Sequence, residues 1–391
     1  MGAASKLTGR KAIIAAASLL ALAACGDIGA PSEPPAPPPE AVGVFASDEL
    51  ADLASGPNDI AFWIHPNVAF ASTMITAGAN GIAAYNIEDL SEVARDSSDA
   101  YANIEVSYFG FGPEAAGVVA ALTEAGDRVR FFGVENATRQ LIALEGGPEL
   151  AVNARTICLG RAVGDAAPTL VTMGGGELAI YSLDFDMSAP SPAIAVAEGP
   201  RLSVSANASA CAIGADGAIF IAEATSPDIY KLDAANDISA PFATTRRAGG
   251  DALAALPGET GASLVAALDT DENVVSILDA GDGSLLGAVT IAGTADIDGV
   301  AIASAMGATA ANLGSLYRDG AVALAVEGQD GEASAVRLIP FSGVLNALAA
   351  EGFAPANPRG ERPALTIDDG LIIAPPALGV SPDPAPNESG E

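Results

Sequence analysis

A sixfold repeat with a period near fifty residues constrains the fold of this chain more than any other feature. Each unit ends in a short strand centred on an aromatic or aliphatic residue, and the steps between these residues are 47, 49, 49, 47 and 61. The central residues are Tyr85, Phe132, Tyr181, Tyr230, Ile277 and Leu338. Repeats of this length are typical of β-propeller blades.

A second apolar strand precedes each closing strand, over residues 74–80, 118–126, 169–176, 218–226, 263–271 and 321–329. Each pair predicts a β-hairpin, because turns rich in Gly, Asp and Asn separate the two runs. A single hairpin cannot bury both of its faces, whereas blades stacked around an axis can. We therefore predict an all-β fold, a six-bladed β-propeller over residues 42–379.

The repeat leaves some questions open. The alternative fold is a β-sandwich whose strands repeat by chance. The Ala-rich stretch 301–316 has helical potential, and we interpret it as an insertion that lengthens the last blade. Whether residues 364–379 close the ring by pairing with the first blade stays open, and residues 380–391 are predicted to be a disordered tail.

The first 24 residues are predicted to be an export signal, because Lys6, Arg10 and Lys11 precede a short apolar stretch. Residues 22–26 resemble the lipobox of bacterial lipoproteins, which implies that Cys25 becomes the lipid-modified first residue of the mature chain. Gly26 after it resembles outer-membrane sorting signals, with the membrane face left open. Residues 25–41 would then be a Pro-rich tether. The alternative is an ordinary cleaved signal peptide.

The charge of the chain excludes some classes of partner. The sequence has 17 basic and 49 acidic residues, and three of the basic ones lie in the predicted signal. The mature chain would keep 14 basic residues against 49 acidic ones, a net charge of −35. Such a surface repels nucleic acid and attracts divalent cations. We expect a monomer with no nucleic-acid partner, which contacts the membrane only through its lipid anchor.

Acidic residues recur in the loops that follow the first strand of each hairpin. Because equivalent loops of a propeller lie on one face, we expect their carboxylates to converge around the channel. Oxygen ligands without His or Cys partners select calcium or magnesium, and we predict Ca²⁺. The predicted metal ligands are Asp59, Glu124, Glu223, Asp251, Asp269, Asp296, Asp298 and Asp330. Asp271 and Glu327 lie in the same loops, and Glu105 and Asp127 are assigned to the set less firmly. The alternative for each acid is a solvated loop position.

Several segments resemble the β-propeller phytases in the order that this family shows, and the likeness covers residues 50–345. The segments are GPNDIAFWIHPN (56–67), ITAGANGIAAYNIE (75–88), ANIEVSYFGF (102–111), TICLGR (156–161), LVTMGGGELAIYSL (170–183), IFIAEATSPDIYKL (219–232), DIDGVAI (296–302) and VEGQDGEASAVRLIPF (326–341). The resemblance implies calcium ions at an acidic channel mouth. It also implies hydrolysis of phosphate from inositol hexakisphosphate by a metal-activated water, without a phosphoenzyme.

The chain departs from that family at positions that carry positive charge. Ala79 and Asn80 stand where the family has lysines, Ser107 where it has arginine, and Gly174 where it has lysine. A basic residue expected near Glu124 is missing, and Asn58 and Ile60 flank Asp59 in place of an acid and a proline. A glutamate expected in the fourth blade is lost among residues 208–211. Arg155 and Arg161 could replace part of this charge, because guanidinium binds phosphate bidentately.

The predicted function is a calcium-dependent phosphomonoester hydrolase of the 3-phytase type, acting on phytate or a similar phosphorylated small molecule. Asp59, Glu223 and Arg155 are the predicted catalytic residues. The alternative function is a catalytically silent propeller that serves as a binding or scaffold lipoprotein at the cell surface. A sugar or peptide hydrolase would need a pair of catalytic carboxylates, which the sequence does not single out.

The histidine and cysteine residues of the chain limit which other kinds of site are expected. His65 is the single histidine of the chain, so neither a histidine zinc site nor a serine triad is expected. We expect His65 to hydrogen-bond a turn. Cys158 and Cys211 lie about one repeat apart, and we expect two buried thiols in preference to a disulfide.

Overall fold

A computed structural model gives the structure of this protein. It describes residues 40–53, 55–110, 115–150, 153–160, 168–186, 193–232, 240–245, 250–259, 263–314, 316–328, 334–350, 352–359, 365–366 and 372–373. The predictions that concern the export signal, Cys25, most of the tether and the tail 380–391 lie outside the described residues. Asp330 and Arg161 lie outside them too.

Six β-sheets arranged as a six-bladed propeller confirm the predicted fold class. Two strands, β1 (Val42–Phe45) and β2 (Asp48–Leu53), come before the first blade. Blade 1 consists, from the channel outward, of β3 (Asp59–Trp63), β4 (Thr73–Gly78), β5 (Gly81–Asn86) and β6 (Glu92–Asp96). Blade 2 consists of β7 (Tyr101–Phe109), β8 (Ala116–Thr123), β9 (Val129–Val134) and β10 (Leu141–Leu144).

Blades 3 and 4 repeat the same antiparallel order. Blade 3 consists of β11 (Thr156–Gly160), β12 (Thr169–Gly174), β13 (Glu177–Asp186) and β14 (Ala193–Ser203). Blade 4 consists of β15 (Ala208–Ile213), β16 (Ile219–Glu223), β17 (Asp228–Leu232) and β18 (Ala243–Thr244).

Blades 5 and 6 each take one strand from the beginning of the chain. Blade 5 consists of β19 (Ala252–Leu256), β20 (Leu264–Asp269), β21 (Val274–Asp279) and β22 (Leu285–Ala292), with β1 parallel to β22 at its outer edge. Blade 6 consists of β23 (Ala303–Thr309), β24 (Ala321–Val326) and β25 (Ser334–Pro340), with β2 antiparallel to β25. After β25 come helix α1 (Phe341–Ala347) and the short strands β26 (Leu365–Thr366) and β27 (Ile372–Ile373).

The repeat found in the sequence corresponds to the third strand of every blade. Tyr85 lies on β5 opposite Met74, and Leu338 lies on β25 opposite Ala323. All six residues of strands β4, β20 and β24 are buried, because neighbouring blades cover both faces of these strands. Contacts between blades leave little room: a Cβ atom at Gly117 would overlap the fully buried indole of Trp63.

Strand β2 closes the ring. The six inner strands contact one another in the order β3, β7, β11, β15, β19, β23 and back to β3. Asp48 pairs with Leu338 and Leu53 with Ser334, so residues near the start of the chain complete the last blade. In the C-terminal region whose pairing was open, β26 and β27 pair with each other.

The prediction for residues 301–316 is wrong. This stretch contains β23, the inner strand of blade 6, and not an insertion. Alanine favours helices in isolation, but six inner strands converge on the channel, where small side chains pack best. Tertiary packing therefore decides the conformation.

The expectation of two thiols is also wrong, because Cys158 and Cys211 form a disulfide. The two residues lie on the inner strands β11 and β15 of blades 3 and 4, with their Cα atoms 5.9 Å apart. This separation is typical of disulfides. The bond therefore links two neighbouring blades covalently next to the channel.

Among the described residues, no helix combines the length and the apolar character needed to cross a bilayer.

Candidate functional site

The predicted acidic loops lie on one face of the propeller, beside the starts of the inner strands. Asp59 at the start of β3 pairs with Ala77 near the end of β4, and Ala208 at the start of β15 pairs with Glu223 at the end of β16. The backbone N–H of Asp251 donates to the carbonyl of Leu268 near the end of β20. Turns between second and third strands thus surround one end of the channel, which we call the mouth.

A cavity of about 440 Å³ occupies the channel. All six inner strands contribute to its wall, and many of the lining residues are alanines. Three carboxyl side chains, those of Asp59, Glu105 and Asp251, are among the lining residues. Arg155 is the one basic residue among the described residues that line the cavity, and its side chain is exposed.

Asp59 is held by hydrogen bonds from two blades. Its Oδ1 accepts the backbone N–H of Ile60 at 2.8 Å, and its Oδ2 accepts the N–H of Ile104 at 2.9 Å. Asn103 donates from Nδ2 to the same Oδ2, and its Oδ1 accepts the N–H of Ile157 on blade 3 at 2.8 Å. A single polar network therefore connects blades 1, 2 and 3 at the mouth.

Burial and hydrogen bonding shift the pKa of the Asp59 carboxyl in opposite directions. Removal from water raises the pKa of this carboxyl to about 7, although the donors Ile104, Ile60 and Asn103 each favour the ionised form. The burial effect is larger. Asp59 can therefore exchange a proton near neutral pH.

Glu105 lies one residue beyond Ile104 on β7 and lines the same cavity. Burial, and secondly the charge of Asp59, raise the pKa of Glu105 well above its usual value. Its carboxyl forms no hydrogen bond or ion pair within the described parts of the chain. The channel wall thus holds a second carboxyl that is close to Asp59 and lacks a partner there.

Asp251 and Asp269 approach each other at blade 5. Asp251 Oδ2 accepts the N–H of Thr270 at 3.3 Å and also the hydroxyl of Thr270. Asp269 is 5% exposed and its Oδ1 accepts the N–H of Glu272 at 3.0 Å, while its buried Oδ2 has no hydrogen-bond partner among the described residues. Burial raises the pKa of Asp269, and the nearby carboxyls of Glu272 and Asp271 add to this effect.

The other predicted ligands are more widely spaced. Glu124 is exposed in the turn after β8, and Glu223 is half-buried at the end of β16. Asp296 and Asp298 are exposed in the loop between β22 and β23. Among the described residues, no three His, Cys, Asp or Glu side chains come together as a metal site. Convergence of the acids on calcium, with Asp330 beyond the described ranges, therefore stays a prediction.

Residues 352–359 cross the end of the channel opposite to the mouth. Glu259 N–H donates to the carbonyl of Ala354 at 2.8 Å, which ties this segment to the end of blade 5. At the other end, Arg359 donates from Nε and Nη2 to the carbonyl of Ile64 on blade 1, at 2.9 and 2.7 Å, and from Nη1 to the carbonyl of Ala115 on blade 2. Three residues of this segment line the cavity at the end opposite to the mouth: Ala356, Asn357 and Pro358.

Two important residues were missed by the sequence analysis. Asn103 lies in a segment quoted for the family resemblance, but only contacts between three blades reveal its role. Arg359 is 2% exposed and its guanidinium lies 4.6 Å from the ring centre of Tyr108. No local pattern marks this arginine.

The expectation for His65 is confirmed, because its Nδ1 accepts the N–H of Val68 at 3.0 Å in a turn.

No family model matches the chain, and a search of curated proteins found no match.

Replacing Glu105 by glutamine is expected to stabilise the protein increasingly as the pH rises. The folded-state pKa of Glu105 is raised, so the protonated form contributes stability that is complete at low pH and is lost as the pH rises through the folded pKa. Glutamine does not titrate. In urea titrations with chelator present, we expect nearly equal free energies of unfolding at about pH 3.5, below the ordinary pKa of glutamate, and an increasing advantage of Glu105→Gln as the pH rises to about 8.

The matched control is Asp319→Asn, which removes one acid from an exposed turn. The difference between this variant and the wild type should stay constant over the same pH range. A difference for Glu105→Gln that does not change with pH would contradict the burial of its charge.

Proposed function

We propose that the protein is a calcium-dependent phosphomonoester hydrolase that acts on phytate or a similar polyanion at the mouth of the channel. The main support is the arrangement of the mouth: carboxyls from several blades surround one cavity, and an exposed arginine lies at the same end. An acidic surface can accept an acidic substrate when cations bridge the two.

One part of the mouth supports the proposed calcium site. Asp269 Oδ2 is buried and no described residue donates a hydrogen bond to it, and Asp251 is linked to the adjacent Thr270. Asp251 and Asp269 would hold the ion, with Glu223, Asp296, Asp298, Glu124 and Asp330 as further ligands around the rim. When bound, calcium would offset the charge of the phosphate and lower the pKa of a coordinated water.

The protein's own residues would bind and orient the substrate. Arg155 forms no ion pair with the described residues, so its guanidinium is free to donate two hydrogen bonds to phosphate oxygens. Asp59 is held in a fixed orientation by its three donors and has a pKa of about 7, which suits a group that accepts and returns a proton. Glu223, at the end of β16 in blade 4, would be the second catalytic carboxylate.

A second candidate is a binding propeller without catalytic activity. One observation favours it specifically: Arg155 is the single basic residue among the described residues that line the cavity, whereas a polyphosphate substrate needs several cationic contacts. Retention at the outer membrane through lipid on Cys25 is compatible with either function and stays a prediction.

Phosphate release from phytate by the purified full-length chain tests the first proposal. We expect the rate to rise with added calcium and to be abolished by chelation. Arg155→Ala should raise KM about tenfold, because one bidentate contact to phosphate is lost. Arg318→Ala, which removes an exposed arginine from the opposite side of the propeller, is the control and should leave KM unchanged. The absence of phosphate release at every calcium concentration would exclude the hydrolase and leave the binding propeller.

A further inference from the structure

The imidazole of His65 organises the loop between β3 and β4, at the end of the channel opposite to the mouth. Its Nδ1 accepts the backbone N–H of Asn67 at 3.2 Å and that of Val68 at 3.0 Å. The backbone N–H of His65 donates to the hydroxyl of Ser72 at 3.0 Å. A ring that accepts at Nδ1 is neutral and carries its proton on Nε2. A charged ring has protons on both nitrogens, so it cannot accept either bond.

The groups around His65 also oppose a positive charge on the ring. Burial lowers the pKa of His65, and the charges of Arg359 and Arg139 lower it further, while a hydrogen bond to the backbone of the blade 2 turn between β9 and β10 raises it. The other titratable groups near this loop are Glu135, which accepts a hydroxyl within its own turn, and Tyr108, whose hydroxyl accepts a backbone N–H from blade 1. The folded protein thus favours the neutral form.

His65 lies next to the anchor of residues 352–359, which we call the floor segment. Arg359 holds this segment on blade 1 by donating to the carbonyl of Ile64, the residue directly before His65. The ring of His65 lies edge-on to the indole of Trp63, with 5.6 Å between the ring centres, and the guanidinium of Arg359 lies 5.5 Å from the centre of the same indole. A charge on His65 would therefore repel Arg359 and disturb the backbone that accepts from it.

We propose that protonation of His65 releases the floor segment from blade 1, so that a channel whose far end is closed near neutral pH opens in mild acid. The hydrogen bonds of neutral His65 contribute fully above its ordinary pKa of 6.5 and are lost as the pH falls through the lowered pKa of the folded state. The other end of the segment stays on blade 5, where Ala356 N–H donates to the carbonyl of Pro257 at 2.9 Å. This device controls access to the channel and does not depend on the proposed phosphatase activity.

Fluorescence of the full-length chain tests the proposal, because Trp63 is its single tryptophan and is fully buried beside Arg359. We expect the lifetime-corrected rate constant for quenching by acrylamide to rise several-fold from about pH 7.5 to about pH 5. In His65→Asn, the side-chain oxygen still accepts both N–H groups but does not titrate, so we expect slow quenching at both pH values. His65→Ala has no acceptor and should be quenched fast at both.

Two outcomes would overturn the proposal. One is equal quenching of the wild type at the two pH values. The other is the same rise in His65→Asn, which would assign the opening to channel carboxyls such as Asp59 and Glu105. If a variant does not fold, hydrogen exchange of the floor segment in the wild type decides, after correction for the intrinsic effect of pH. The exchange should rise at the pKa that proton NMR measures for the single histidine, and a rise at a different pH contradicts the proposal.

Discussion

A chain that begins at Gly56 is expected not to yield a soluble, folded monomer. Such a chain lacks β1 and β2, so β25 keeps β24 but loses its outer partner and becomes an exposed edge. Arg337, which is 8% exposed, loses the carboxylate of Glu49 that accepts from its Nε at 2.8 Å. Tyr317 loses Asp48, to which its hydroxyl donates at 2.5 Å.

The expected loss from this truncation is on the order of the entire folding free energy of about 5–15 kcal/mol, because blades 5 and 6 each lose an outer strand and Arg337 loses the carboxylate that neutralises its buried charge. The matched control begins at Glu40 and keeps both strands. Size-exclusion chromatography and circular dichroism of the two chains provide the measurement. A monomer from the Gly56 chain that melts like the control would show that β2 is dispensable for ring closure.

Arg359→Ala is expected to lower the free energy of unfolding by about 4 kcal/mol. The substitution leaves the carbonyls of Ile64 and Ala115 without donors, each at about 1–3 kcal/mol. It also removes the stacking of the guanidinium on Tyr108, worth roughly 1 kcal/mol. Burial lowers the pKa of Arg359, because removal from water disfavours its charged form.

Urea unfolding of three variants measures this effect. Arg359→Lys keeps the charge but cannot reach both blades with a planar group, so we expect an intermediate loss. Arg318→Ala is exposed and should stay within about 0.5 kcal/mol of the wild type. If Arg359→Ala were as stable as Arg318→Ala, the segment 352–359 would not be anchored through its arginine.

The sequence predicted the number of blades because the third strands repeat with nearly constant spacing. It did not reveal the inner strands. Residues 208–213, 252–256 and 303–309 are short and rich in alanine, so they lack the alternation that marks a strand, and none contains more than one β-branched residue. Ring closure by β2 was missed for a different reason: pairing between distant segments leaves no periodic signal.

The candidate site was predictable in its position but not in its contacts. Loop acids follow from the repeat, which places equivalent turns at one end of the channel. The network of Asp59, Asn103 and Ile157 depends on how three blades approach one another. Glu105 was assigned to the acidic set less firmly, and its position in the channel wall, with no partner among the described residues, follows from tertiary structure alone.

The pairing of β2 with β25 sets the order of events during synthesis. Ser47 donates to the carbonyl of Leu338 across a separation of 291 residues, so β2 leaves the ribosome long before its partner is translated. Blades 1 to 4 can form as their own strands emerge, whereas the last blade has to wait for nearly the whole polypeptide. Contacts this distant in sequence form slowly. Blade 6 of the nascent chain therefore stays incomplete until translation is almost finished, and chaperones can bind the chain during that time.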